Sequence, residues 1–180
     1  MLNTKQRNTV SKTQRASYEK LENSTESLAE SLYTFLIEGE ESVFEQAGED
    51  KTQVYDAVKK MLNDYNDTVK ALKNTSNPLN DFYREMMHET VKESEEGLVS
   101  IGVTQNENGT LSLDKEKLET VDVETIKKAL DGNGLFSTKL AFITSRICDN
   151  AKANMESFSS QYGADGYGYT MNTSRYDFWG

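Results

Sequence analysis

The sequence predicts a mainly α fold: an elongated helical bundle or coiled-coil-like hairpin with one small β-hairpin near residues 99–113. Three observations lead there. Apolar residues recur at steps of three and four through most of the chain, the period of an amphipathic helix. Hydrophobic residues make up 36% and charged residues 28% of the 180, a balance that suits a thin helical object better than a compact α/β enzyme. One stretch, SIGVTQNENGTLSLDKEKLE (residues 100–119), breaks the helical period with short alternating runs around an Asn-Gly pair.

The first helix is expected over residues 17–37, where Tyr18, Leu21, Thr25, Leu28, Leu32 and Phe35 form a heptad-like stripe. Gly39 ends it. Tyr18, Leu21, Leu28, Leu32 and Phe35 are the candidate helix seam for a neighbouring molecule, because the stripe is long. Glu38, Glu40, Glu41, Glu45, Glu49 and Asp50 then follow without a cation, as a solvated linker or turn.

A second helix spans residues 50–74, with Val54, Val58, Met61, Tyr65, Val69 and Leu72 on one face. Asn77 caps a third, and Pro78 occupies its first position, where a missing N–H costs nothing. That helix covers residues 78–96, carries Leu79, Phe82, Tyr83, Met86, Met87 and Val91, and ends at Gly97. Val99, Ile101 and Val103 alternate with polar residues or Gly, as do Leu111 and Leu113, so two strands are expected. Asn108-Gly109 suits a type I′ turn between them, and a longer loop that includes residues 105–108 fits equally well. Asp114 caps a helical turn from Lys115. Asp122 caps a short helix over residues 123–130, which residues 131–134 close. A last helix covers residues 137–158 with Leu140, Ile143, Ile147, Ala151, Met155 and Phe158.

This organisation predicts one helical domain, residues 17–158, between a disordered basic leader (1–16) and a Gly/Tyr-rich tail (159–180). Residues 1–20 carry a net charge of +4 and the remainder −14, for −10 overall. The leader reads as disordered or as an export or docking arm. The acidic balance argues against a nucleic-acid partner, which requires a basic face. No apolar run is long enough to span a bilayer. The tail is either loose or a strand-like piece docked on the helices. Its Tyr176, Phe178 and Trp179 are a candidate anchor for a partner groove, since aromatics dominate interface hot spots.

The chain offers no motif for chemistry. Asn106, Asn108 and Gly109 match the middle of a calcium loop, but the twelfth position, which needs a bidentate Glu, is Lys115. HETVK at His88 begins like a zinc-protease helix, but the second ligand position is Lys92 and His88 is the sole histidine. His88 reads as a partly exposed polar residue. GADGYGY lacks the strand and helix that a dinucleotide fingerprint needs. Cys148, the single cysteine, reads as a small buried hydrophobe. No catalytic residue, metal ligand or cofactor is expected.

The phrase GLVSIGVTQNENGTLSLDKEKLE, residues 97–119, resembles the C-terminal region of the flagellar filament cap family, hook-associated protein 2. Ile101, Gly102, Val103, Gly109, Leu111, Leu113, Asp114 and Leu118 sit where that family has an apolar piece around Gly, a polar turn and a "tLslD..kL" phrase. Upstream, VKKMLNDYNDTVKALKN is similar to the family's helix with an "aYN" phrase, matched by Tyr65 and Asn66. Downstream, IKKALDGNGLFSTKLAFI resembles its short helix and return. The resemblance covers roughly residues 53–147. The chain is far shorter than a complete cap protein, so most of the N-terminal half and the outer head domains are expected to be missing. The family's last helix runs on to pair with its N-terminal helix; here it is expected to stop near Ser159.

The resemblance implies a non-enzymatic structural or assembly protein like the helical leg of a filament cap. Such a protein would act through helix–helix contacts with itself or flagellin-like helices, outside the cell on the bacterial flagellum. The competing expectation is a cytosolic helical adaptor or chaperone-like binding module. A third is an orphan domain that reuses the scaffold for an unrelated activity.

Overall fold

Leu21, Leu28, Leu32 and Phe35 lie on one face of a helix, α1, that runs Thr4–Leu36. Their burial organises everything else. Two later helices, α3 (Thr52–Asn74) and α8 (Phe136–Gln161), pack along α1, and α4 (Pro78–Glu93) closes the far side against α3 and α8. The computed structural model describes residues 4–48, 50–130 and 136–161, with side chains from residue 12 to residue 157 of that set.

Polar contacts fix the direction of each pair. Thr68 Oγ1 donates to the Ser24 carbonyl and Lys60 Nζ to Ser31 Oγ, so α3 runs antiparallel to α1. Lys139 pairs with Glu93 and Asn150 Nδ2 donates to Asn80 Oδ1, so α8 runs antiparallel to α4, and Lys152 of α8 pairs with Glu26 of α1 at 2.9 Å. The result is an up-down-up-down four-helix bundle. Each fully buried Leu or Phe of the α1 stripe contributes roughly 1.5–3 kcal/mol.

The acidic linker is more structured than its composition suggests. Gly39, at φ +77°, turns the chain into a 3-10 turn (Gly39–Glu41) and then α2 (Val43–Gln46), capped by Ser42. Phe44 and Ala47 are buried, and the Phe44 ring lies 5.9 Å from that of Phe35. Helix α1 also starts earlier than expected. Residues 4–16, read as a disordered leader, are helical. They contain neither Gly nor Pro and are rich in Lys, Arg and Gln, which favour helix without any packing.

The caps at Asn77, Asp114 and Asp122 form as expected. Asn77 Oδ1 accepts from the Leu79 and Asn80 N–H groups, and Asp114 Oδ1 from Lys117 N–H. Asp122 Oδ1 accepts from Thr125 N–H at 2.8 Å. Gly97 does not end the third helix. After α4, the chain starts α5 (Glu95–Ser100), with Gly97 inside it. Helix α5 packs on α7 (Val123–Leu130) at this point, and a Cβ at Gly97 would lie 3.6 Å from Ala129, in ordinary van der Waals contact. Val99 is therefore helical and exposed, not the first residue of a strand.

The hairpin is shorter than residues 99–113. Strand β1 (Val103–Gln105) pairs antiparallel with β2 (Leu111–Leu113), Val103 opposite Leu113. Asn106 N–H donates to the Thr110 carbonyl and Gly109 N–H to the Asn106 carbonyl. Gly109 has φ +84°, so the loop is a three-residue type with glycine in the left-handed position, not a two-residue type I′ turn. Helix α6 (Lys115–Thr120) follows directly from the Asp114 cap.

Gly102 is the tightest joint. Its φ is +84°, its carbonyl accepts from Asp114 N–H at 2.8 Å, and a Cβ there would lie 2.7 Å from the Asp114 carbonyl oxygen. Residues 131–134, expected to close α7, lie outside the described residues, as do residues 162–180 with the anchor Tyr176, Phe178 and Trp179.

Gly102→Ala is expected to destabilise the fold by roughly 2 kcal/mol or more, read as a lower urea midpoint at unchanged slope. The Thr125 backbone N–H, and then its hydroxyl, hold the Asp122 carboxyl below its ordinary value of 3.8. The folded value is depressed, so this cap stabilises above the ordinary carboxylate range and is lost as pH falls through the folded value. An NMR titration should place Asp122 below 3.8, and Thr125→Ala, which removes the hydroxyl, should raise it.

Candidate functional site: an uncovered apolar flank

The candidate seam on α1 is filled by its own chain. Leu21, Leu28 and Leu32 are 0% exposed and Phe35 1%, against α3 and α8. Tyr18 is half-buried and its hydroxyl accepts from Asn77 Nδ2 at 2.9 Å. A heptad-like stripe reads the same whether its partner lies in the same molecule or another; here α8, more than a hundred residues later, supplies the partner.

The uncovered apolar surface lies on α4 instead. Its six-residue stripe does not point into the core as a unit. Met87 and Val91 are buried, Tyr83 and Met86 half-buried, and Leu79 and Phe82 are 43% and 57% exposed. Core positions go to Asn80 and Thr90. Asn80 is 0% exposed, donates to the Thr75 carbonyl at 2.8 Å and accepts from Asn150 Nδ2 at 2.9 Å. Thr90 donates to the Met86 carbonyl. A satisfied Asn is tolerated inside, and its tie to α8 holds α4 rotated, with two large apolar side chains facing water.

Helix α8 adds to the same flank. Leu79, Phe82, Met86 and Glu93 follow one another at steps of three, four and seven, so they share one line along α4. Lys139, Phe142 and Arg146 do the same on α8. The two lines meet at the Lys139–Glu93 ion pair, 2.5 Å long. Phe142 is 58% exposed, and the Arg146 guanidinium sits 5.1 Å from its ring centroid. Neither Phe142 nor the still more exposed Tyr33 belongs to its helix's stripe; an aromatic out of phase with the apolar period was the signal available in the sequence.

Polar clusters elsewhere perform structural work. Lys60 Nζ donates to Ser31 Oγ at 2.9 Å and to Asp64 Oδ2 at 2.7 Å, and Ser31 donates to Asp64. A serine beside a lysine becomes a nucleophile only if the lysine is neutral and oxyanion donors are near. Here Lys60 is ion-paired, and Ser31 lies mid-helix, where backbone N–H groups are used by the helix. The cluster clamps α1 to α3. Cys148 is half-buried, not buried as expected, because it lies at the rim of the α1–α8 contact, 3.9 Å from Glu26 Oε1. Burial raises its thiol pKa, which Lys152 partly offsets. His88 is half-buried and its carbonyl accepts weakly from Gln105 Nε2.

Burial pushes the Tyr65 hydroxyl far above its ordinary value; the Gln105 amide opposes this without reaching hydrogen-bonding geometry, so the hydroxyl has no partner among the described residues. A cleft of about 480 Å³ separates residues 13–18 of α1 from the turn at 74–77 and is lined by hydroxyls and amides. Among the described residues, no group of three or more His, Cys, Asp or Glu is placed to hold a metal, and no helix is long and apolar enough to cross a membrane.

Comparison with family models, curated proteins and solved structures finds no match for this chain.

Phe82→Ser is expected to change unfolding free energy by no more than about 0.5 kcal/mol, as for other exposed positions. Met87→Ala, five residues along the same helix and fully buried, is expected to cost roughly 2–5 kcal/mol. Urea melts of the two variants check the asymmetry.

Proposed function

We propose that this chain is a non-enzymatic structural or assembly protein, built like the helical leg of a flagellar filament cap. It acts through helix–helix contacts with itself or with flagellin-like partners, outside the cell on the flagellum. One observation carries the reading. The two phrases that resemble the cap family, Tyr65-Asn66 and residues 101–118, interlock across 45 positions of sequence. Asn66 Nδ2 donates to the Leu111 carbonyl at 2.9 Å, and Asn66 Oδ1 accepts from Leu111 N–H at 2.7 Å. One side-chain amide thereby stands in for a neighbouring strand.

The other residues of the phrases have mechanical parts. Tyr65, Ile101, Val103, Leu111 and Leu118 are core. Gly102 makes the joint, and Asp114 caps α6. The uncovered flank of α4 and α8 gives such a leg a surface for a further helix.

The alternative reading, a cytosolic adaptor or chaperone-like module, draws on the same flank. Light scattering of the chain alone and with purified flagellin tests the assembly reading. The expected result is a mass above that of the monomer or a complex with flagellin. A strict monomer at high concentration that ignores flagellin would sink it. Fractionation separates the two readings: an assembly protein is found on filaments or in the culture supernatant, an adaptor inside the cell.

A further inference from the structure

We propose that copies of this chain join head to tail, the basic start of α1 on one copy docking against the acidic linker, residues 38–50, of the next. The proposal rests on the assembly reading above and names the partner and the two surfaces. Residues 1–20 carry five cations and one acid, and residues 38–50 carry six acids and no cation.

The fold sets these two segments apart. The Tyr18 hydroxyl meets Asn77 at the α3–α4 turn, so the basic segment lies at that end of the bundle. The linker follows Leu36, the last residue of α1, and is held at the opposite end by the Phe35–Phe44 contact and the Lys127–Glu45 ion pair. Helix α1 has 33 residues and is therefore about 50 Å long. Exposed charges are screened beyond about 10 Å at 0.1 M salt, so the two ends of one copy cannot neutralise each other.

Neighbouring charges leave both ends uncompensated. Lys12, Arg15 and Lys20 are exposed and have no ion pair among the described residues. Around them, Lys152 pairs with Glu22, Lys70 with Asp67 and Arg84 with Asp81, while the exposed Lys73 and Glu156 cancel. At the opposite end Glu38, Glu40 and Glu41 are exposed without an ion pair among the described residues, as are Glu95 and Glu96 of α5. Residues 115–130 flank this end with four acids and four cations, which cancel, and Lys51 offsets one carboxylate of the linker.

A second copy fits both ends at once. The contact uses a different patch on each copy, so it need not close on itself and repeats along a line. The net charge of −10 is spread over a molecule several screening lengths long, so the local sign of each end decides the approach. One exposed ion pair contributes little; this contact draws on several together.

Sedimentation velocity on the full chain, at about 20 mM and at about 0.5 M salt, tests the contact. The average mass is expected to rise with concentration at low salt, past that of a dimer, and to return to the monomer at high salt. Lys12→Glu with Arg15→Glu and Lys20→Glu is expected to abolish association, as is Glu38→Lys with Glu40→Lys and Glu41→Lys. An equimolar mixture of the two triple variants restores opposite signs at every contact and is expected to associate again. All six positions are exposed, so the circular-dichroism melt of each variant is expected to stay close to that of the wild type. A wild-type chain that stays monomeric at low salt, association indifferent to salt or to either triple reversal, or a mixture that stays monomeric overturns the proposal. A low-salt monomer that binds flagellin overturns it and leaves the assembly reading standing. Salt-sensitive head-to-tail association by a chain found only inside the cell keeps the contact and removes the flagellar reading.

Discussion

Helix α1 can bury its stripe only when two other helices lie along it at once. Leu21, Leu28, Leu32 and Phe35 are shared between α3, which follows α1 closely, and α8, which comes near the end of the described chain. Neither partner alone covers the face. α4 is then placed by what α3 and α8 leave open. Its orientation is decided less by its own apolar stripe than by Asn80, whose amide reaches both Thr75 and Asn150. The exposed flank of α4 is thus a by-product of satisfying a buried polar group, since an unpaired amide inside costs more than an apolar ring left in water.

The second organising constraint is local. A hairpin of two three-residue strands has little stability of its own in water. Here it is held at both ends. Asn66 occupies the free edge of β2 as a neighbouring strand would, and Gly102 lets the chain leave α5 and turn into β1 with Asp114 bonded to its carbonyl. These contacts make the hairpin a rigid part of the bundle wall.

Much of this was legible in the sequence, for physical reasons that differ by element. The caps at Asn77, Asp114 and Asp122 are local chemistry, and local chemistry reads well from one chain. The stripes of α1, α3 and α8 were visible because core packing imposes a period. Three features were not legible. Val99, Ile101 and Val103 alternate like a strand, but a helix ends between them; alternation over so few residues fits both. Gly97 looked like a stop, yet it lies inside α5, and a glycine within a short helix reads the same as one at its end in a single sequence. The rotation of α4 depends on Asn150, seventy positions from Asn80, so no window on α4 contains it. The same limit applies to the candidate site: the α1 stripe was seen but assigned to a neighbouring molecule, and the α4 stripe was seen without the rotation that exposes Leu79 and Phe82.

The antiparallel pairing of α1 with α8 has a consequence during synthesis. Glu26 meets Cys148 across 122 positions, so the ribosome must make nearly the whole domain before the stripe on α1 can be covered. Until then the nascent chain carries a long apolar face with half its cover, and Asn80 of α4 still waits for Asn150 of α8. Such an interval is when a chain is open to the wrong contact. The same arrangement makes the final closure a single late event: α8 arrives, the stripe is sealed, and the bundle completes from its first helix and its last.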